Sequence, residues 1–140
     1  MSTDSLYKEV LLDHFHHPRN KGDLADAAIT RRGANPRCGD EIEVGIDADA
    51  GRLTRVRFRG RGCSVCIASA SMMTEAVTGL DAVDARDLTG HMRGWFGSGD
   101  APPGEPPPAL AALTAVRAYP ARRRCVLLPW EALRDAIDAL

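Results

Sequence analysis

The stretch from residue 41 to residue 59 constrains this chain most. Ile42, Val44 and Ile46 alternate with Glu41 and Glu43, and after a break Val56 and Phe58 alternate with Arg55, Arg57 and Arg59. A period of two places the apolar set on one face of a strand and the charged set on the other. The pattern predicts strands over Glu41–Ile46 and Leu53–Arg59, joined through Asp47–Gly51, whose Asp, Ala and Gly residues suit a turn. Paired as a hairpin, the two strands set outward arginines opposite outward glutamates, a solvated and favourable arrangement.

Helical spacing dominates elsewhere. Leu6, Val10, Leu11 and Phe15 predict a helix over Ser5–His16, stopped by His17-Pro18-Arg19-Asn20. Ala27–Arg31 is short and weakly strand-like. After Gly60-Arg61-Gly62-Cys63 comes a helix of small residues, Ser64–Thr78, with Cys66, Ala70, Met73 and Val77 on one stripe and Gly79 as its C-cap. Met72 and Met73 read as core. A further helix is expected over Asp81–His91, followed by a Gly- and Pro-rich loop over Gly94–Pro108, with four Gly and five Pro, that divides helices rather than domains. The chain closes with Leu110–Val116, the stretch Tyr119–Cys125, and a terminal helix carrying Trp130, Leu133, Ile137 and Leu140. No internal repeat is visible.

At 140 residues one domain, 1–140, is expected. Eighteen Lys plus Arg against 19 Asp plus Glu give a net charge of −1, which argues against broad electrostatic capture of nucleic acid and leaves a protein or a metal as the partner. Residues 1–13 do not read as a signal peptide, and no segment approaches the roughly 20 apolar residues of a membrane span. A cytoplasmic address is expected, where thiols stay reduced and Cys38, Cys63, Cys66 and Cys125 are ligands or nucleophiles rather than disulfides.

Cys38 sits in a loop, Asn35-Pro36-Arg37-Cys38-Gly39-Asp40, where a thiol and a carboxylate two residues apart can point the same way. Cys63 follows a Gly-x-Gly turn and precedes a helix, and a helix N-terminus favours a thiolate. Cys125 follows Arg122-Arg123-Arg124, whose charges would also favour the anion. Cys38, Asp40, Cys63 and Cys125 make a complete set of four ligands for tetrahedral zinc. Spacing alone leaves open both a metal or cluster site and a set of scattered buried thiols, because the paired knuckles of a structural zinc module are missing. Asp40 has a second reading as a turn cap. Cys66 completes a Cys63-Ser64-Val65-Cys66 pattern and reads as a small buried hydrophobe, with a fourth ligand displacing Asp40 and a resolving thiol for Cys63 as alternatives. His14, His16 and His17 read as a solvated helix end, Arg122–Arg124 as support for the site or a docking surface, and Trp95 and Phe96 as a partner anchor or as packing on the domain.

Asn35-Pro36-Arg37-Cys38-Gly39-Asp40, Gly60-Arg61-Gly62-Cys63-Ser64, Ala68-Ser69-Ala70-Ser71-Met72-Met73 and Tyr119-Pro120-Ala121-Arg122 with Cys125 together resemble the IscU/SufU family of iron-sulfur cluster assembly proteins. His14-Phe15-His16-His17-Pro18-Arg19-Asn20 resembles its N-terminal region. The scaffold branch of that family carries a His just before its last Cys and a Leu-Pro-Pro-Val-Lys chaperone motif. Here Arg124 stands in place of the His, only Pro120 echoes the motif, and Trp95–Pro108 resembles the insertion of the SufU-type branch.

The resemblance implies an α+β fold with a small antiparallel three-stranded sheet packed against helices and the site at one end. It also implies a SufS-type cysteine desulfurase as partner, which holds the pyridoxal phosphate itself, and cluster assembly scaffold proteins downstream. Three functions follow as expectations: a zinc-dependent sulfur acceptor, a scaffold for a [2Fe-2S] cluster held by the same thiolates, and a non-catalytic zinc-stabilised interaction domain. Arg124 in place of His favours the first. In that reading Cys38, on its Gly-flanked loop, takes the sulfur, Asp40 tunes ligand exchange as the harder ligand, Arg124 lends support, and the protein is a monomer.

Overall fold

The alternating residues of 41–59 form the expected hairpin. In a computed structural model, which describes residues 3–37, 39–97 and 104–140, three antiparallel strands, β1 (Ile29–Asn35), β2 (Asp40–Asp49) and β3 (Arg52–Arg61), lie in the order β1-β2-β3. Ile42, Val44 and Ile46 of β2 are all fully buried and stand opposite Gly60, Phe58 and Val56 of β3. Each such side chain contributes roughly 1.5–3 kcal/mol by leaving water. Four helices accompany the sheet: α1 (Thr3–His16), α2 (Ser64–Val77), α3 (Ala82–Phe96) and α4 (Pro120–Asp138), with a 3-10 helix over Pro108–Val116. Helices α2 and α4 pack against the strands and against each other, while α1 leans on α2 and α3 on α4. This is the expected α+β class.

The charged face of the hairpin differs from expectation. Arg59 pairs with Glu43 at 2.6 Å as the register predicts, but Arg57 is only 8% exposed. It donates to the Asp23 carbonyl at 2.6 Å and pairs with Asp26 at 2.8 Å. The chain between α1 and β1 lies over this part of the sheet, with Leu24 buried. Gly45 permits the approach, since a Cβ there would stand 2.8 Å from the Ala27 Cβ. The same segment bonds to the outer edge of β3 at Phe58, whose N–H donates to the Asn20 carbonyl and whose carbonyl accepts from the Gly22 N–H, so that edge is covered there.

Three boundaries also move. The weak strand expected at Ala27–Arg31 forms as Ile29–Asn35, held by its ladder to β2. Helix α3 runs on past His91 to Phe96, because Ala85, Thr89, Met92 and Phe96 make a buried stripe whose packing outweighs the helix cost of Gly90 and Gly94. Of the loop expected at Gly94–Pro108, residues 98–103 lie outside the described residues. The Tyr119–Cys125 stretch and the terminal helix are one helix, which places Cys125 inside α4 rather than in a loop and leaves Pro129 in the helix interior. Pro129 supplies no N–H to the carbonyl of Cys125 four residues earlier.

Candidate metal centre

Asp40 opens β2, next to a turn closed by a bond from the Gly39 N–H to the Asn35 carbonyl at 2.9 Å. It is 1% exposed, and its Oδ1 accepts from the backbone N–H of Cys63 at 3.0 Å. Two glycines bring Cys63 there. Gly60 has φ +134°, and a Cβ at that position would collide with the Glu41 carbonyl. Gly62 lies so close that a Cβ would sit 3.0 Å from Asp40 Oδ1 and 3.2 Å from the Cys66 Cβ. The Gly-x-Gly pattern therefore lets β3 end and α2 begin directly beside Asp40.

Cys63 is the N-cap of α2, and its Sγ accepts from the Cys66 N–H at 3.4 Å. The Cys63 thiol also lies 3.9 Å from Asp40 Oδ2, as a donor. Cys125 reaches the same place from α4, its buried thiol donating to the Ala121 carbonyl at 3.6 Å. One ligand atom from each of Asp40, Cys63 and Cys125 lies within 4.8 Å of the other two. Tetrahedral zinc at about 2.3 Å from sulfur and about 2.0 Å from oxygen needs its ligand atoms a little closer than this.

Burial pushes the Cys125 thiol well above the ordinary cysteine range, and the neighbouring Cys63 and then Asp40 push in the same direction. This corrects the expectation that Arg122–Arg124 would favour a Cys125 thiolate. Arg122 and Arg124 are exposed, and Arg124 instead lines a cleft of about 700 Å³ between α3 and α4 together with Arg93, Arg123 and Glu131. Three acidic ligand groups close together, two of them buried, make a place that gains from a cation.

Cys38 lies outside the described residues. Cys66 is fully buried, with Ala70, Met73 and Val77 likewise buried along the expected stripe. Cys63, Cys66 and Cys125 form no disulfide among the described residues. His16 and His17 are exposed as expected, but His14 is buried and bonded through Nδ1 to Ser71 Oγ at 2.7 Å, so it docks α1 onto α2 rather than ending a solvated helix. Phe96 packs back on the domain at 1% exposure, under the Arg117 guanidinium, while the indole N–H of Trp95 donates to the Gly104 carbonyl. The sequence reading overlooked how closely Gly62 is pressed between Asp40 and Cys66; a glycine immediately before a candidate ligand was the available signal.

The sequence profile of the NifU-like N-terminal domain matches residues 6–100. The chain belongs to this family. Among NifU-like relatives, the zinc-dependent sulfurtransferase SufU of Bacillus subtilis (strain 168) is 36% identical over 138 residues, covering 96% of this chain and 90% of the relative. The iron-sulfur cluster assembly scaffold protein IscU of Streptococcus pyogenes serotype M1 is 33% identical over 132 residues, covering 94% and 82%. In three dimensions the N-terminal part of a nitrogen-fixing NifU-like protein from Brucella abortus superposes with a TM-score of 0.82 at 26% identity, covering 96% of this chain and 94% of that one. The profile match ends before α4, so the NifU-like core supplies Asp40 and Cys63, and Cys125 joins them from outside the matched span.

Proposed function

We propose that this protein is a zinc-dependent sulfur acceptor of iron-sulfur cluster assembly. In this reading it acts as one domain, takes persulfide sulfur from a SufS-type cysteine desulfurase, and passes it to cluster assembly scaffold proteins. The observation that supports this most is the convergence of Asp40, Cys63 and Cys125 within 4.8 Å. Two thiols and a carboxylate suit zinc, and Cys38, two residues before Asp40 in the chain, would complete the set of four. Bound there, zinc would hold the thiols in their anionic form, offsetting the crowding that otherwise keeps Cys125 protonated.

The chain's own residues do the rest. Asp40 fixes the start of α2 by accepting from the Cys63 N–H. Cys38, next to Gly39 with its positive φ, is the nucleophile of this reading. Its thiolate attacks the outer sulfur of the desulfurase persulfide, forming a new S–S bond and returning the desulfurase cysteine as a thiolate.

Cysteine desulfurase turnover, measured with and without the protein as isolated and alongside its zinc and iron content, tests the proposal. Strong stimulation by a colourless, zinc-loaded protein is expected. Absent stimulation, with iron bound and a visible cluster spectrum, would replace this reading with a [2Fe-2S] scaffold, the Streptococcus relative being named an iron-sulfur cluster assembly scaffold protein. Unfolding on chelation with no change in turnover would leave a zinc-stabilised interaction domain.

A further inference from the structure

Cys66 is a nucleophile that the Asp40, Cys63 and Cys125 group does not use. It is the third residue of α2, fully buried, and its N–H donates to the Sγ of the half-buried N-cap Cys63. A Cβ on Gly62 would stand 3.2 Å from the Cys66 Cβ and 3.0 Å from Asp40 Oδ1, so Cys66 and Asp40 both lie against Gly62. An accessible thiol capping a helix, with a buried thiol three residues on, is the arrangement in which the outer sulfur reacts and the inner one resolves the product. Residues at this spacing across a first helical turn come within disulfide reach, and the pair stands in its dithiol form.

We infer that Cys63 and Cys66 form a resolving dithiol that reduces a hydropersulfide carried on Cys63 to sulfide. The inference rests on the sulfur-acceptor reading and adds two steps to it: Cys63, once released from zinc, attacks the outer sulfur of the Cys38 hydropersulfide as a thiolate and returns the Cys38 thiolate, and the Cys63 hydropersulfide is then reduced. The Cys66 thiol gives up its proton and attacks the Sγ of Cys63. A Cys66–Cys63 S–S bond forms, the bond from Cys63 to the outer sulfur breaks, and the outer sulfur leaves with the bonding electrons as hydrosulfide, released with the proton as hydrogen sulfide. The two protein sulfurs lose two electrons between them and the sulfane sulfur gains both, so one turnover needs no other reductant. An added dithiol restores the pair by thiol-disulfide exchange. Burial matters here, because it shields Cys66 from a bulky sulfur donor while leaving it beside Cys63.

The test uses the full-length protein as isolated, with its thiols reduced, under anaerobic conditions and with glutathione hydropersulfide as the donor. Released sulfide is quantified and disulfides are mapped by mass spectrometry. The parent is expected to release about one sulfide per chain and to close a Cys63–Cys66 disulfide, as the balanced step requires. Cys66→Ala and Cys66→Ser, each checked for unchanged folding and zinc content, are expected to keep the sulfane sulfur on the protein and to release at least about tenfold less sulfide. Equal release from these variants, or a disulfide joining other cysteines in the parent, overturns the inference. If neither variant folds, the disulfide map of the parent decides alone. Stimulated desulfurase and a sulfur-loaded parent without that disulfide would sink the inference and spare the acceptor reading, whereas a parent that takes up no sulfane sulfur would sink both.

Discussion

Ser69, Ser71 and Thr74 in the middle of α2 are as buried as Asp40 and Cys125 at its N-terminal end, yet the two regions treat their polar atoms in opposite ways. In the middle, every polar group meets a complementary neutral one. Ser69 Oγ donates to the Val126 carbonyl at 2.7 Å and accepts from the Trp130 indole N–H at 3.2 Å. Ser71 Oγ bonds to His14 and accepts from the Arg19 N–H, and Thr74 Oγ1 donates to the Ser71 carbonyl and accepts from the Asn20 amide. At the N-terminal end Asp40, Cys63 and Cys125 face one another, and burial together with these neighbours pushes the Cys125 thiol above its ordinary range. The first pattern holds helices in register; the second stores a demand for a cation.

That contrast can be broken by separating stability from metal binding. Ser69→Ala strips the Trp130 N–H and the Val126 carbonyl of their buried partner and should cost about 1–3 kcal/mol in chemical denaturation, while zinc content stays at the parent level. Equal loss of zinc would mean that the two regions are one unit. Asp40→Asn is the converse experiment, since its amide oxygen can still accept from the Cys63 N–H. Zinc retention in a chelator competition is expected to weaken about tenfold, near 1.4 kcal/mol, with the denaturation midpoint of the metal-free protein unchanged or raised. A lowered midpoint would show that Asp40 is there for the fold.

The smallest expected effect sits at the α1 seam. Burial, with Arg19 adding to it, holds His14 below its ordinary value of 6.5, against weaker opposing pulls from Glu75 and Asp13. The folded state thus prefers neutral imidazole, and the unfolded chain binds the extra proton. His14 therefore supports stability fully above its ordinary pKa, and the support fades as pH falls through the lowered value. Melting temperature should decline across that window, and His14→Gln should flatten the decline. An unchanged slope would detach His14 from the seam.

Much of the frame was legible in the sequence because local periodicity reports burial. The 41–59 alternation produced the hairpin, the Cys66, Ala70, Met73, Val77 stripe became the buried face of α2, and Gly79 ends that helix with positive φ. Long-range packing overrode the local signals elsewhere. Arg57 reads as solvent-facing until the Asp23 carbonyl and the Asp26 carboxylate of the segment before β1 engage it. Gly94 reads as the start of a loop until Met92 and Phe96 bury the end of α3. His14 reads as a helix end until Ser71, 57 residues away, bonds to it.

The sequence by itself determined the chemical inventory of this protein: thiols and a carboxylate placed at turns and helix starts, with glycines where the backbone must pass close. The tertiary structure decided which of these meet. Asp40 and Cys63 are 23 residues apart and come together because β2 and β3 pair and two glycines turn the chain into α2. Cys125 joins them because α4 packs on that same sheet. The raised pKa of the Cys125 thiol was decided there too, since the desolvation and the neighbouring Cys63 and Asp40 that cause it belong to the assembled site.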